Sequence, residues 1–201
     1  MFIIKVIIAL ISGILIGFTI FPKNILPFLD YLININLCFL LFFAGYEIGK
    51  TFNITKGLRE VSSIVSLILL STIFGSIIGA FIAGQIIGFN LLYSISIGAG
   101  FGWYSLTGPL LMQYINPYIG AIGFTANILR EILTILLFPY FEKIFGIFAA
   151  ISMGGATTMD STLPIIIKNI SDKKYILIAF IHGVILTILA PIIIPFILSI
   201  K

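Results

Sequence analysis

The stretch VSSIVSLILLSTIFGSIIGAFIAGQIIGFNLLYSISIGAGFGWYSLTGPLLMQYINPYIGAIGFTANIL, residues 61–129, contains no charged side chain in 69 consecutive positions. A helix that crosses a bilayer core of about 30 Å needs roughly 20 apolar residues. The stretch is therefore long enough for two membrane spans and most of a third. Two short polar segments divide it, at residues 85–90 and 113–117, and we expect a turn at each.

The rest of the chain has a similar composition. Of its 201 residues 60% are hydrophobic and 9% are charged, and the mean hydropathy is +1.25. Soluble domains carry roughly 25% charged residues, which excludes an ordinary water-soluble enzyme. The net charge of +4 is too small for a nucleic-acid-binding surface, and the apolar runs do not alternate as β-barrel strands do. The sequence predicts an all-α, polytopic transmembrane protein, surrounded by membrane lipids, with one transport domain over residues 1–201.

Seven apolar runs are predicted to span the membrane. Five lie near 2–21, 31–49, 118–140, 144–167 and 174–199, and the turn at 85–90 separates the other two. Lys and Arg collect in cytoplasmic loops. With the N-terminus inside, that side has Lys5, Lys50, Lys56, Arg59, Lys168, Lys173 and Lys174, and the other has Lys23, Lys143 and Lys201. We therefore expect the C-terminus outside. The turn at 113–117 would then be a cytoplasmic loop without positive charge, and a re-entrant segment there would change the count.

Two stretches interrupt the apolar pattern with glycine and proline: GAGFGWYSLTGP at 98–109 and MGGATTMDSTLP at 153–164. Lipid supplies no hydrogen-bond partners, so unwound backbone persists at membrane depth only beside protein or a water-filled cavity. Paired interrupted spans of this kind indicate a transporter binding site. Close helix packing at glycine is the alternative, which we favour for Gly75 and Gly79.

The two stretches also align with each other at an offset of 55 residues. The offset matches Gly100 with Gly155, Thr107 with Thr162, Pro109 with Pro164, and Asn127 with His182. Few identities support this alignment. Two crossings separate the copies, so a true duplication would give parallel repeats rather than inverted ones.

Several ionisable residues are predicted to lie at membrane depth, where an unpaired charge costs roughly 2.5–3.5 kcal/mol. Asn127 and Glu131 share a helix face, whereas Arg130 lies about 100° away and needs another partner. That partner is Asp160 or the carboxylate of a bound substrate. Glu131 and Asp160 are either a cation or proton site or part of a structural ion pair. His182 is either a satisfied neutral imidazole or a proton relay.

No enzyme or cofactor motif is present. HExxH, GxSxG and P-loop patterns are missing, and one His and one Cys make a metal site improbable. An intramembrane aspartyl protease would need a second aspartate beside Asp160, and Asp30 and Asp172 fall in loops. We therefore expect neither an enzyme nor a cofactor, and transport would draw on an ion gradient.

Five blocks together resemble the bacterial lysine exporter (LysO) family: LLFFAGYEIG at 40–49, GFGWYSLTGP at 100–109, NILREI at 127–132, GGATTMDSTLP at 154–164 and IHG at 181–183. The resemblance implies an inner-membrane protein that exports L-lysine and close analogues, with the C-terminus outside. Family members use acidic residues in the membrane, which points here to Glu131 and Asp160. The chain resembles the C-terminal two-thirds of the longer members, so a small separate membrane polypeptide or a homo-oligomer is expected to supply the missing helices.

A lysine site needs carboxylates for the ammonium groups and donors for the carboxylate. The predicted substrate- or ion-binding residues are Glu131, Asp160, Arg130, Asn127, Trp103, Tyr104, Ser105, Thr107, Thr157, Thr158, Ser161, Thr162 and His182. Proton-coupled export of lysine is the expected activity. The alternatives are a sodium-coupled or other ion-coupled carrier of another amino acid, a membrane subunit that does not transport by itself, and a membrane-embedded enzyme.

Overall fold

The computed structural model describes residues 54–200 continuously and isolated positions between residues 8 and 46. The chain divides into two units, Met1–Ile54 and Thr55–Lys201. In the first unit, the described positions are helical and their side chains are exposed or half-buried. The spans predicted at 2–21 and 31–49, with Lys5, Lys23 and Lys50, fall largely or wholly outside the described residues.

The second unit contains seven α-helices and one 3₁₀ helix within the described residues. They are α1 (Ile54–Ile86), α2 (Leu91–Gly98), α3 (Tyr104–Tyr114), α4 (Pro117–Phe145), α5 (Ile147–Gly154), the 3₁₀ helix (Gly155–Met159), α6 (Leu163–Asn169) and α7 (Lys173–Ser199). The side chains of Asn90, Asn116 and Asp172 accept backbone N–H bonds at the starts of α2, α4 and α7. These caps explain why the predicted turns at 85–90 and 113–117 are correct.

In the part of the chain that the structure describes, three helices are long and apolar enough to cross a membrane: α1, α4 and α7. Arg130 of α4 bonds to Ser76 of α1, while Phe138 of α4 shares a buried cluster with Val65 of α1, so α4 runs antiparallel to α1. His182 of α7 meets Thr72 of α1, and the same cluster contains Ile178, so α7 runs parallel to α1. The C-terminus of α1, the N-terminus of α4 and the C-terminus of α7 therefore lie at one end, here called the upper end; their opposite termini lie at the lower end.

The segment between α1 and α4 starts and finishes at the upper end, so α2 and α3 form a re-entrant hairpin, here called hairpin 1 (residues 91–114). Its first arm packs on α1, where a side chain at Gly98 would lie 2.6 Å from the Ser76 carbonyl. Its second arm returns along α4, where Gly108 faces Phe124. The arms have 8 and 11 residues, about 12 and 16 Å, or half of a bilayer core.

The segment between α4 and α7 starts and finishes at the lower end and forms hairpin 2 (residues 147–169). Phe148 near the start of α5 contacts Tyr175 near the start of α7, with ring centroids 5.7 Å apart. Ile151 of α5 and Ile166 of α6 lie in the same buried cluster, at the lower end of the unit. Both arms of hairpin 2 therefore return to the end from which the hairpin begins.

The prediction of five spans from residue 61 onwards is not confirmed: in residues 61–200 three helices are long and apolar enough to cross, and the other two apolar segments each fold back as a hairpin. A segment of 24 residues such as 91–114 has the apolar length of a full span, so hydropathy cannot distinguish a crossing from two half-length arms. The hairpin at 91–114 has the form of the re-entrant segment considered at 113–117, and it begins as early as residue 91.

The two hairpins are related as inverted repeats. α2 and α5 begin at residues 91 and 147, α3 and α6 end at 114 and 169, and α4 and α7 begin at 117 and 173, so the offset is 55 or 56 throughout. Only one crossing, α4, separates the hairpins. The expectation of parallel repeats is therefore wrong, because it counted each hairpin as a crossing.

Candidate functional site at the hairpin tips

The tips of the two hairpins, residues 99–103 and 155–162, meet near the middle of the long helices. The Ala156 N–H donates to the Phe101 carbonyl at 2.9 Å. Phe101, Gly102 and Gly155 have positive φ values of 49°, 92° and 61°. A side chain on Gly155 would collide with the Phe101 carbonyl, so glycine is required for this close approach.

Asn127 of α4 completes the hydrogen bonding of the first tip. Its Oδ1 accepts from Gly102 N–H at 2.7 Å, and its Nδ2 donates to the carbonyls of Gly123 and Ile97 at 2.9 and 3.1 Å. The side chain is 4% exposed. Asn127 is thus engaged by protein backbone.

Arg130 of α4 joins α1, α4 and the end of α5. Its Nε donates to the Met153 carbonyl at 2.9 Å, Nη2 to the Ser152 carbonyl at 3.0 Å, and Nη1 to Ser76 Oγ at 2.7 Å. Carbonyls of a last helical turn carry partial negative charge and favour a cation. Arg130 forms no ion pair with Asp160, so the partner that charge balance suggested is wrong.

Two carboxylates and two hydroxyls lie close together beside the tips. The hydroxyl of Ser161 donates to Asp160 Oδ1 at 3.2 Å and is also within hydrogen-bonding reach of Glu131. The Tyr104 phenol is close enough to interact electrostatically with both carboxylates. We call Tyr104, Glu131, Asp160 and Ser161 the acidic cluster.

Burial differs sharply within the acidic cluster. Glu131 is only 5% exposed, and its Oε2 has no hydrogen-bond partner among the described residues. Asp160 is exposed and Ser161 is half-buried. A buried carboxylate oxygen with unused bonding capacity is expected where a cation or a proton binds.

The threonines predicted as substrate ligands mostly bond to backbone. Thr107 donates to the Trp103 carbonyl at 2.7 Å, and Thr157 donates to Gly154 O at 2.9 Å and lies 3.2 Å from the hydroxyl of Thr162. Both bonds stabilise the chain where it leaves helical geometry. Trp103 is 7% exposed at the start of α3, followed by half-buried Ser105.

His182 of α7 lies completely buried between two threonines. Its Nε2 is 2.9 Å from Thr72 Oγ1 of α1, and its Nδ1 is 3.2 Å from Thr158 Oγ1 of hairpin 2. The imidazole is satisfied by hydroxyls, and Thr72, like Ser76, was missed by sequence analysis. The spacing of Thr72 and Ser76 at i and i+4, a polar stripe on an apolar helix, could have indicated both.

An open groove of about 570 Å³ lies on a different face of α4 from Glu131. It is lined by small residues of α1, including Gly75 and Gly79, and by Arg130. No described residue comes within 4 Å of a Cβ added at either glycine. The packing role predicted for these two glycines is therefore not seen within the described part of the chain.

Comparison with known proteins identifies the family. The family described as "Lysine exporter LysO" matches residues 7–198. The lysine exporter LysO of Escherichia coli is 32% identical over 163 residues, covering 80% of this chain and 52% of that protein. A putative lysine exporter of Haemophilus influenzae is 32% identical over 159 residues, covering 78% of this chain and 79% of that protein. No solved structure gives a significant match.

The chain therefore spans about half the length of the E. coli relative, and it is a multi-pass membrane protein by its long apolar helices. The profile match extends over nearly all of the sequence and includes both hairpins. This chain belongs to the lysine exporter LysO family.

Proposed function

We propose that this protein exports L-lysine and close analogues from the cytoplasm as a secondary transporter, by alternating access at the two hairpin tips. Relatives named as lysine exporters support the substrate. Inverted repeats around a site at mid-depth are typical of secondary transporters. Both units of the chain act in one transport domain in this proposal.

The observation that carries the proposal is Glu131. Its carboxylate is buried at mid-depth with one unpartnered oxygen, and a second carboxylate, Asp160, lies nearby. A buried carboxylate is costly without a compensating cation or proton. A lysine ammonium supplies the cation when the site is loaded, and a proton on Glu131 or Asp160 supplies it when the site is empty.

The carboxylate of lysine needs hydrogen-bond donors. Most of the threonine hydroxyls near the tips are occupied by backbone carbonyls. We assign this role to Tyr104 and Ser105, on the first turn of α3, where the helix N-terminus favours an anion. Arg130 and Asn127 then support the site by positioning the tips, because their donors are used by backbone groups and by Ser76.

The lower end faces the cytoplasm in this proposal. Lys and Arg at that end occupy positions 56, 59, 143, 168, 173 and 174, whereas the upper turns at 87–90 and 115–116 contain none. With hairpin 1 re-entrant, the uncharged turn at 113–117 is external and the positive-inside rule holds without exception there. The C-terminus remains outside, in the bacterial inner membrane.

The decisive experiment is uptake of labelled lysine into inside-out vesicles at controlled pH and sodium. We expect uptake that requires an acidic vesicle lumen, which corresponds to the periplasmic side, that is lost in Glu131→Gln and that persists in Glu142→Gln, a matched change near the lower end of α4. Uphill, pH-dependent uptake by Glu131→Gln would overturn the coupling role. Sodium dependence would indicate the sodium-coupled alternative, and no lysine flux would overturn the substrate.

Transport by this chain is proposed to involve a second copy or a small membrane polypeptide. The reason is that the E. coli relative is matched over only 52% of its length. Reconstitution of the purified chain alone and with neighbouring small membrane proteins tests this. Full transport by a lone monomer would contradict it.

A further inference from the structure

The two repeats differ in how the second arm of each hairpin, α3 in hairpin 1 and α6 in hairpin 2, packs on the long helix that follows it. In hairpin 1, α3 packs on α4 through glycines: a side chain at Gly108 would lie 2.9 Å from Phe124 Cβ, and one at Gly120 would lie 2.7 Å from Met112 Cβ. Such close backbone approach, as in small-residue helix interfaces, gives extensive packing. Hairpin 1 is thus tightly fixed to its own long helix.

The second arm of hairpin 2, α6, lacks this glycine interface with α7. The positions 55 residues later are Leu163, Tyr175 and Ile178, which correspond to Gly108, Gly120 and Gly123. Bulky residues keep the two helix backbones further apart. The returning arm α6 has only 7 residues, against 11 in α3, and the chain before it is exposed at Asp160.

The tip of hairpin 2 is instead held by His182. The Thr158 hydroxyl has one hydrogen, which goes to a carbonyl, either Ala179 O at 2.7 Å or Gly155 O at 2.8 Å. Thr158 Oγ1 lies 3.2 Å from Nδ1 of His182 and can accept its N–H, while Nε2 lies 2.9 Å from Thr72 Oγ1, which also bonds to the Ile68 carbonyl at 2.9 Å.

Asn127 holds the first tip from the equivalent position. The second tip also approaches α7 closely at Gly183, where a side chain would collide with Met159 N and lie 2.8 Å from the Ala156 carbonyl. The difference between the repeats therefore lies in the second arms, α3 and α6, and not at the tips.

We propose that hairpin 2 is the moving gate of this transporter, that it opens at the cytoplasmic, lower end, and that the hydrogen bond between His182 and Thr158 positions it in the closed state. The proposal rests on the function and orientation proposed above. Hairpin 1 stays with α4 while hairpin 2 parts from α7. Lysine then enters the acidic cluster past Ser161 and Asp160.

A reversible covalent bond in place of the hydrogen bond tests whether hairpin 2 must part from α7. In a Cys38→Ser background, the only native thiol is removed, and Thr158→Cys with His182→Cys places two thiols at the contact. We expect the oxidised double variant to transport lysine at a small fraction of the rate of its own reduced form, which is the reference because both substitutions remove the bond between His182 and Thr158. Unchanged transport after complete oxidation would overturn the proposal.

The matched control crosslinks hairpin 1 to α4. Leu111→Cys with Gly123→Cys suits this purpose, because the Leu111 side chain is the nearest group to a Cβ at Gly123 and its truncation makes room. Oxidation of this pair should leave transport at the level of its own reduced form. Loss of transport on oxidation would show that hairpin 1 moves, which contradicts the assignment.

A second measurement needs no substrate. Met159 in hairpin 2 and Leu106 in hairpin 1 are each 7% exposed, so Met159→Cys and Leu106→Cys are matched reporters. Thr158→Val removes the hydroxyl at nearly constant volume and should raise the labelling rate of Met159→Cys about fivefold, for a membrane-impermeant thiol reagent at the cytoplasmic face. The rate for Leu106→Cys should not change.

The proposed lysine export and the proposed gate are tested by different results. If the wild-type chain moves no lysine, the proposed function is wrong, while the labelling comparison still decides which hairpin opens. Equal acceleration at both reporters would indicate general loosening and would overturn the gate. Acceleration at Met159→Cys only from the external face would overturn the orientation of the gate.

Discussion

A single amide side chain, that of Asn127, satisfies three backbone groups: Gly102 N–H and the carbonyls of Ile97 and Gly123. A neighbouring helix thereby replaces the hydrogen bonds that the tip loses by leaving helical geometry. The sequence predicts Asn127 at membrane depth, and the residue lies buried within α4, one of the candidate spans. Its partners were beyond prediction, since backbone groups belong to every residue type and leave no compositional signal.

Asn127→Ala is expected to destabilise the fold by about 1–3 kcal/mol, because it leaves a buried N–H without an acceptor. Thermal unfolding in detergent measures this. Asn169→Ala is the control, since Asn169 donates to its own helix at an exposed position and should change stability little. Equal effects of the two substitutions would contradict the role given to Asn127.

Arg130→Lys is expected to reduce both stability and transport, although the charge is kept. A lysine ammonium cannot reproduce the planar geometry with which the guanidinium reaches Ser76, Ser152 and Met153 together. We expect a loss of about 1–3 kcal/mol in unfolding free energy. A variant as stable and active as wild type would show that only the charge matters at this position.

At the scale of the elements, hairpin 1 depends on glycine where α3 meets α4. Gly120→Ala places a Cβ 2.7 Å from Met112 Cβ and 2.8 Å from the Gly108 carbonyl, so α3 must move away. We expect destabilisation of about 1–3 kcal/mol, measured by unfolding in detergent. Gly79→Ala, in a region where no described residue lies within 4 Å of the new methyl group, should be neutral or slightly stabilising.

At this scale the turns could be predicted from the sequence, but the hairpins could not. Turns at 85–90 and 113–117 were predictable because capping asparagines and proline act locally. The reversal inside 91–114 depends on Gly108 meeting Gly120 and on α4 running antiparallel to α1, which are contacts between distant parts of the chain. Apolar length alone therefore gave a full span where the chain forms two half-length arms.

For the whole molecule, the inverted arrangement makes a topological prediction. Ile87→Cys and Gln113→Cys, in a Cys38→Ser background, should both react with an impermeant thiol reagent added to intact cells, because both lie at the upper end. Ser171→Cys should react only from the cytoplasmic face. Opposite accessibility of positions 87 and 113 would restore the five crossings and contradict the hairpins.

The contact between the two tips is made by main-chain atoms, Ala156 N–H and the Phe101 carbonyl. An alanine scan of the non-glycine residues in both tips would leave this contact intact and would understate how strongly the repeats depend on each other. Only a residue without an amide hydrogen, as in Ala156→Pro, deletes it. The junction between the repeats can therefore survive extensive change of amino-acid identity, provided that the glycine at position 155 keeps the two chains close.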